Sequence, residues 1–384
     1  MINGQRIHGL DTLRAVAMLL GVLLHAASGY RVEKVDYWIH DDQFNSIVFD
    51  FFYFFIHSFR MPLFFLIAGF FSRFLYFRSG ERAFVRNRWK RVGIPFFIGL
   101  VTIVPLSMLP FNFYIFFYKQ HLSWDVAVSK SLRQLFARNG TAHLWFLYDL
   151  LMFYTGVVVI MRLRNISFIN KLFSAVSGVW DKLNLNKGYW ILIFSLPMWI
   201  ILLNDHLLLV RSDTELIPSH FSFIFFYGYI FFIGWLFQKR MDILNILVQR
   251  STPLLLSGIL ICIGLFYVKE RIDWESNKWW YYSCKLAAAL QVALLVGGAM
   301  GFFLRVFKNE SKLWRYLSDA SYWVYLVHMG IVVSMEILFF NTPVPGILRF
   351  LLSLTVAVTI SFLTYHLFVR YTIIGTTLNG VRKR

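Results

Sequence analysis

The chain has 384 residues, 58% of them hydrophobic and only 15% charged, with 42 Phe, 13 Trp and a formal net charge of +18. Soluble domains are about half apolar and a quarter charged, so a water-soluble globule of this length has nowhere to hide so much apolar surface, and lipid is its natural solvent. The basic residues lie between apolar runs and are not gathered into a polar domain, which argues against a nucleic-acid binder and fits the charge bias of membrane loops.

A membrane span takes about 20 mainly apolar residues. In chain order, the runs 13–30, 47–72, 93–112, 144–161, 189–204, 219–237, 253–268, 282–304, 320–338 and 346–369 predict ten transmembrane helices. The first run lacks a small-residue cleavage site and carries Arg14 and His25, so it reads as a retained helix and not a signal peptide. Pro95 sits just inside the first turn of the third span. With no repeat and no polar stretch long enough for a soluble domain, residues 1–384 read as a single all-α polytopic membrane helix bundle with a basic loop at 73–92. Cys262 and Cys284 have no metal-ligand spacing, a disulfide between them is left open, and no metal site is expected.

Placing the N-terminus, the even-numbered loops and the C-terminus on one side gives that side 24 of the 38 Lys and Arg. The other side carries Glu33, Asp36, Asp41, Asp42, Asp205, Asp213, Glu215, Glu270, Asp273 and Glu275. Basic loops face the cytoplasm, so both termini are expected there.

Ionisable groups inside spans are costly and mark function. Arg14 and His25 in the first span are eleven residues, almost three turns, apart and share a face about 16 Å from end to end. Asp11 either caps this helix and pairs with Arg14 at i,i+3 or joins the chemistry; Arg14 either snorkels to the interface or acts. In the second span His57 and Arg60 point the same way, and Arg60 is either a structural partner for Asp149 or a receptor for a substrate carboxylate. Arg88 and Arg91 precede a helix start near Pro95, where guanidiniums beside a helix N-terminus favour phosphate. His143 and Trp145 open the fourth span, Trp145 being either an interfacial anchor or part of a binding wall, while Tyr325 and His328 lie in the ninth span and Lys285 in the eighth. Histidine and cationic side chains in separate spans are expected to converge on one polar cavity.

Together, Arg6, Leu10-Asp11, Arg14 and His25, Phe64-Phe65-x-x-x-Gly69-Phe70, Arg88-x-x-Arg91 with Pro95, His143-x-Trp145-Phe146-Leu147 and Tyr325-Leu326-x-His328 resemble the acyltransferase-3 family of membrane acyltransferases, and do so over almost the whole chain. Phe55-Ile56-His57-Ser58-Phe59-Arg60-Met61 and Arg91-Val92-Gly93-Ile94-Pro95 look most like the members that succinylate periplasmic glucans. The family often has proline two residues after the ninth-span histidine; here Met329-Gly330 follows His328.

The resemblance implies an O-acyltransferase of the bacterial inner membrane. It would move an acyl group, succinyl or acetyl, from cytoplasmic acyl-CoA to a glycan hydroxyl outside, with acyl-CoA as donor substrate and no permanently bound cofactor. Its partners would be acyl-CoA, the glycan acceptor, membrane lipid and the glucan-synthesis machinery. Arg88, Arg91 and Arg14 would hold the coenzyme A phosphates. His25 would serve as base, directly or through an acyl-histidine. Arg60 or His57 would meet the succinyl carboxylate or the oxyanion, and Trp145 would offer a sugar-stacking wall. His143, Tyr325 and His328 complete the expected substrate site. Two rivals stand beside this reading. One is a transporter or flippase for an anionic solute. The other is an O-acetyltransferase acting on lipopolysaccharide, exopolysaccharide or a small acceptor.

Overall fold

Apolar runs in lipid must satisfy every backbone amide internally, which leaves the helix as the local solution. The computed structural model describes residues 7–34, 38–41, 43–137, 140–205, 208–210 and 221–380, and among these there is no strand. Arg6, Asp36, Asp42, Asp213 and Glu215 lie outside the described residues. The helices in chain order are α1 (His8–Ser28), α2 (Ile47–Arg88), α3 (Ile94–Val101), α4 (Ile103–Tyr114), α5 (Trp124–Arg133), α6 (Trp145–Leu163), α7 (Ser167–Lys182) and α8 (Tyr189–Leu202). They continue with α9 (Phe221–Lys239), α10 (Asp242–Arg271), α11 (Lys278–Val306), α12 (Lys312–Phe339), α13 (Gly346–Thr364) and α14 (Ile373–Asn379).

Eight helical stretches among the described residues are long and apolar enough to cross a membrane. One of them, Ile47–Lys119, is 73 residues long and holds two of the ten predicted spans, while the span at 189–204 is the shorter helix Tyr189–Leu202. The molecule is therefore an all-α, multi-pass membrane bundle. Its two ends are here called the basic end, where α1 begins and α2 and α6 finish, and the opposite end.

Three expectations need correction. Residues 73–92, expected as a loop, are helical: α2 runs on past its apolar span to Arg88, is interrupted only at Gly80 (φ 78, ψ 168), and passes through a π-helical turn, Trp89–Gly93, into α3. Exposed Arg and Glu are good helix formers, and Arg162 of α6 grips Glu81 through Nη2 and Nε at 2.6 and 2.9 Å. The third span is not one rod. Pro105 lacks an amide and its ring crowds the carbonyl one turn back, which breaks the helix at Thr102 between α3 and α4. Finally, α5, α7 and α14 occupy stretches expected to be connections, because they are too short or too polar to span a membrane.

Close approach of backbones builds the centre. A Cβ at Gly69 of α2 would stand 1.8 Å from the Phe231 carbonyl oxygen of α9, and one at Gly234 of α9 would stand 1.9 Å from that of Leu66. The two helices touch through glycines because apolar side chains gain little by leaving lipid, so van der Waals contact decides the packing. α1 packs against α2, α11, α12 and α13 and is the inner helix on which the polar residues gather. Cys262 and Cys284 are buried free thiols.

Candidate active site

The site is assembled on α1 and α12. Gly21, His25 and Gly29 follow one another at one-turn intervals along α1. A Cβ at Gly21 would come within 2.0 Å of Nη1 of Arg60, so the tip of the guanidinium abuts α1, one turn from His25. The His25 ring stacks on Trp38 with centroids 5.5 Å apart and planes 16° apart. On another side it meets His328 at 5.2 Å, and His328 in turn meets His143 at 5.8 Å. Arg60 lies within electrostatic reach of Tyr53, Tyr227 and Tyr325.

Hydrogen bonding fixes how two of these rings are turned. Nδ1 of His328 faces the carbonyl oxygens of Val324 at 3.1 Å and Tyr325 at 2.8 Å. Carbonyls only accept, so Nδ1 carries the proton and the neutral ring leaves Nε2 as a lone pair. That Nε2 is buried with no hydrogen-bond partner. His143 is turned the other way: its Nε2 donates to the Leu326 carbonyl at 2.9 Å, and its Nδ1 is the buried orphan. The turn Ala142–Leu144 that delivers His143 contains Ala142 at φ 45, a left-handed conformation unusual for a residue with a Cβ. It is held there from α12, since the Tyr325 hydroxyl donates to the His143 carbonyl at 2.6 Å.

The second cluster lies at the basic end. Arg91 is within electrostatic reach of Arg88 and Arg14. The Arg88 guanidinium sits 4.9 Å from the centre of the Tyr154 ring, and the Tyr322 hydroxyl donates to the Arg91 carbonyl at 2.9 Å. Asp11 and Arg14 form only a loose pair, 3.9 Å apart, and stand almost four and about three turns of α1 away from His25. They belong to this cluster and do not join the histidines. The expected helix N-terminus beside Pro95 is absent: the π-helical turn continues the helix and the Ile94 amide already donates to the Trp89 carbonyl. Any phosphate preference here rests on guanidiniums alone.

The two clusters are joined along α12. Tyr322 bonds to Arg91, its ring lies 6.4 Å from Tyr325, Tyr325 lies 6.4 Å from His328, and His328 meets His25. Spacings of three residues place these groups on one stripe of the helix. The stripe continues to Glu336, whose Oε2 accepts from the Trp38 indole at 3.0 Å.

Other expected members fall elsewhere. Trp145 is buried among Phe65, Phe223 and Tyr227. An aromatic next to a polar turn looks interfacial in sequence, but the neighbours that enclose it are far away in the chain. His57 stacks on Tyr53 and meets the Val210 carbonyl at 3.1 Å, and it lies within electrostatic reach of His25. Lys285 does not join the histidines: its Nζ donates to the Asp205 carbonyl at 2.7 Å and lies over the rings of Trp274 and Tyr281. Asp149 is buried with Tyr227 and Tyr325 within its reach. Tyr322, Trp38 and Glu336 were missed. The signal for Glu336 was a carboxylate inside a predicted span; Trp38, on a connection, gave none.

Fold and site define a multi-pass membrane enzyme with a histidine centre inside its bundle. The chain belongs to the acyltransferase-3 family, whose profile, described as an acyltransferase domain, matches residues 7–366, and it is an O-acyltransferase. Among characterised relatives it is similar to the glucans biosynthesis protein C of Escherichia coli strain SMS-3-5 / SECEC, 27% identical over 390 residues that cover 99% of this chain and 96% of the relative. The proteins of the same name from Escherichia coli strain K12 and Shigella dysenteriae serotype 1 (strain Sd197) show the same identity and coverage. No solved structure matches the chain.

Proposed function

We propose that this membrane acyltransferase moves a succinyl group from acyl-CoA, bound at the basic end, to a hydroxyl of a cell-envelope glucan that approaches His25 from the opposite end. The observation that carries the reading is the stripe on α12, which joins a cluster of three arginines to a cluster of three histidines by way of Tyr322 and Tyr325. The glucan acceptor is suggested by the printed names of the relatives.

On this reading the basic end is cytoplasmic, and the protein lies in the bacterial inner membrane with both termini in the cytoplasm. Arg88, Arg91 and Arg14 bind the coenzyme A phosphates, since guanidinium forks match phosphate oxygens. The thioester lies along the Tyr322–Tyr325 stripe. Arg60, one turn from His25, receives the succinyl carboxylate. His25 takes the proton from the sugar hydroxyl as its oxygen attacks the thioester carbonyl; the C–S bond then breaks, the ester forms, and the thiolate of coenzyme A leaves and is protonated. His328, with Nδ1 tied to carbonyls and Nε2 bare, borders His25 and relays that proton on to the leaving thiolate.

The test is transfer of radiolabelled succinate from succinyl-CoA to envelope glucan by the purified protein in nanodiscs. Labelled glucan is expected. A transporter would leave the glucan unlabelled and would move label across a sealed vesicle. Acetyl transfer equal to or faster than succinyl transfer would reassign the donor.

A further inference from the structure

We propose that Glu336 binds a hydroxyl of the acceptor sugar through its Oε1, and that Trp38 positions this carboxylate beside His25. The inference rests on the reading above and adds the acceptor subsite to it.

Glu336 is 5% exposed and lies at the end of α12 away from the arginines, eight residues beyond His328. Eight residues is about 12 Å along the helix, so Glu336 stands nearer the opposite end than the histidines do. One carboxylate oxygen, Oε2, accepts from the Trp38 indole at 3.0 Å. The other, Oε1, is buried with no hydrogen-bond partner. A buried carboxylate oxygen without a donor is costly and is a natural place for a ligand hydroxyl.

The placement ties this oxygen to the reaction centre. Oε1 lies against Gly29, where a Cβ would come within 3.2 Å of it. Gly29 is one turn beyond His25 on the same face of α1, about 6 Å along the axis. A sugar ring is long enough to cover that distance, so one hydroxyl can donate to Oε1 while a neighbouring hydroxyl reaches the His25 ring. Trp38 couples the two ends: its indole stacks on His25, packs edge-on with Phe111, and donates to Glu336. Nothing of this kind surrounds Trp145, whose ring is enclosed by other aromatics.

The experiment uses the full-length protein in nanodiscs with succinyl-CoA as donor and envelope glucan as acceptor. Two constants are followed in the transfer reaction: the KM for glucan and the KM for succinyl-CoA. Glu336→Gln exchanges an accepting oxygen for a donating amide, and Trp38→Phe keeps the ring but removes the N–H. Both variants are expected to raise the glucan KM about tenfold, in line with one lost hydrogen bond, while the KM for succinyl-CoA stays within twofold. An unchanged glucan KM in both variants would overturn the proposal. So would an equal rise in the succinyl-CoA KM in Glu336→Gln with a normal size-exclusion profile, because that pattern marks a structural role. If the wild-type protein itself labels no glucan, the functional reading fails first, and the two failures are thereby separated.

Discussion

His25 is one turn from a half-buried arginine, stacked on an indole and flanked by a second imidazole. Its proposed role as base predicts that His25→Ala lowers transfer on the order of 10³-fold, the usual worth of a positioned general base, while succinyl-CoA binding measured by calorimetry is kept. Arg60→Ala is expected to lose the preference for succinyl over acetyl donor: one charge-assisted hydrogen bond is worth about 2 kcal/mol, or roughly 30-fold, read as the ratio of kcat/KM values. Gly21→Ala makes a sharper test of the same geometry, since its methyl would displace the Arg60 guanidinium without touching His25. It should reproduce the loss of preference with the melting temperature nearly unchanged. Polar residues inside apolar runs were visible in the sequence because their cost in lipid makes them conspicuous. Their partners were not, since Trp38 and Glu336 lie 298 positions apart.

At the level of elements, α2 and α9 meet through Gly69 and Gly234 with backbone against backbone. Gly69→Leu forces them apart and is expected to cost about 1–3 kcal/mol, as overpacking does in a tight core, seen as a lower unfolding temperature in detergent. α7 presents Phe168, Leu172 and Val179 to the surroundings, while its Trp180 is buried and donates to the Leu236 carbonyl of α9. Residues four and eleven apart share a face, so these three exposed side chains form an apolar stripe suited to the membrane interface. Paired Phe168→Asp and Leu172→Asp substitutions should weaken the docking of this helix, read as faster proteolysis between α6 and α8. The ten apolar runs were legible as helices from length and hydropathy alone. The breaks were legible only where a proline or glycine announced them, and the π-helical turn after Arg88 announced nothing.

For the whole molecule, the charge asymmetry of the loops sets the proposed orientation. A reporter protein fused to the C-terminus should be active if it requires the cytoplasm and inactive if it requires export; the reverse would invert the donor and acceptor ends assigned above.

What the sequence by itself determined is the solvent, the helices and the residues that do not belong in lipid, because each follows from local composition and the cost of burying charge. What only the tertiary structure decided is which of those residues meet. His25, His143, His328 and Arg60 converge, whereas Arg14 stays at the far end of the same helix, Lys285 turns to a carbonyl near Trp274, and Trp145 is lost in an aromatic core. Helix periodicity gives each side chain a direction along its own axis, but the rotation and depth of neighbouring helices are set by packing at contacts such as Gly69 with Phe231. That packing brings α12 against α1, and with it the stripe from Tyr322 to Glu336 on which the proposed reaction runs.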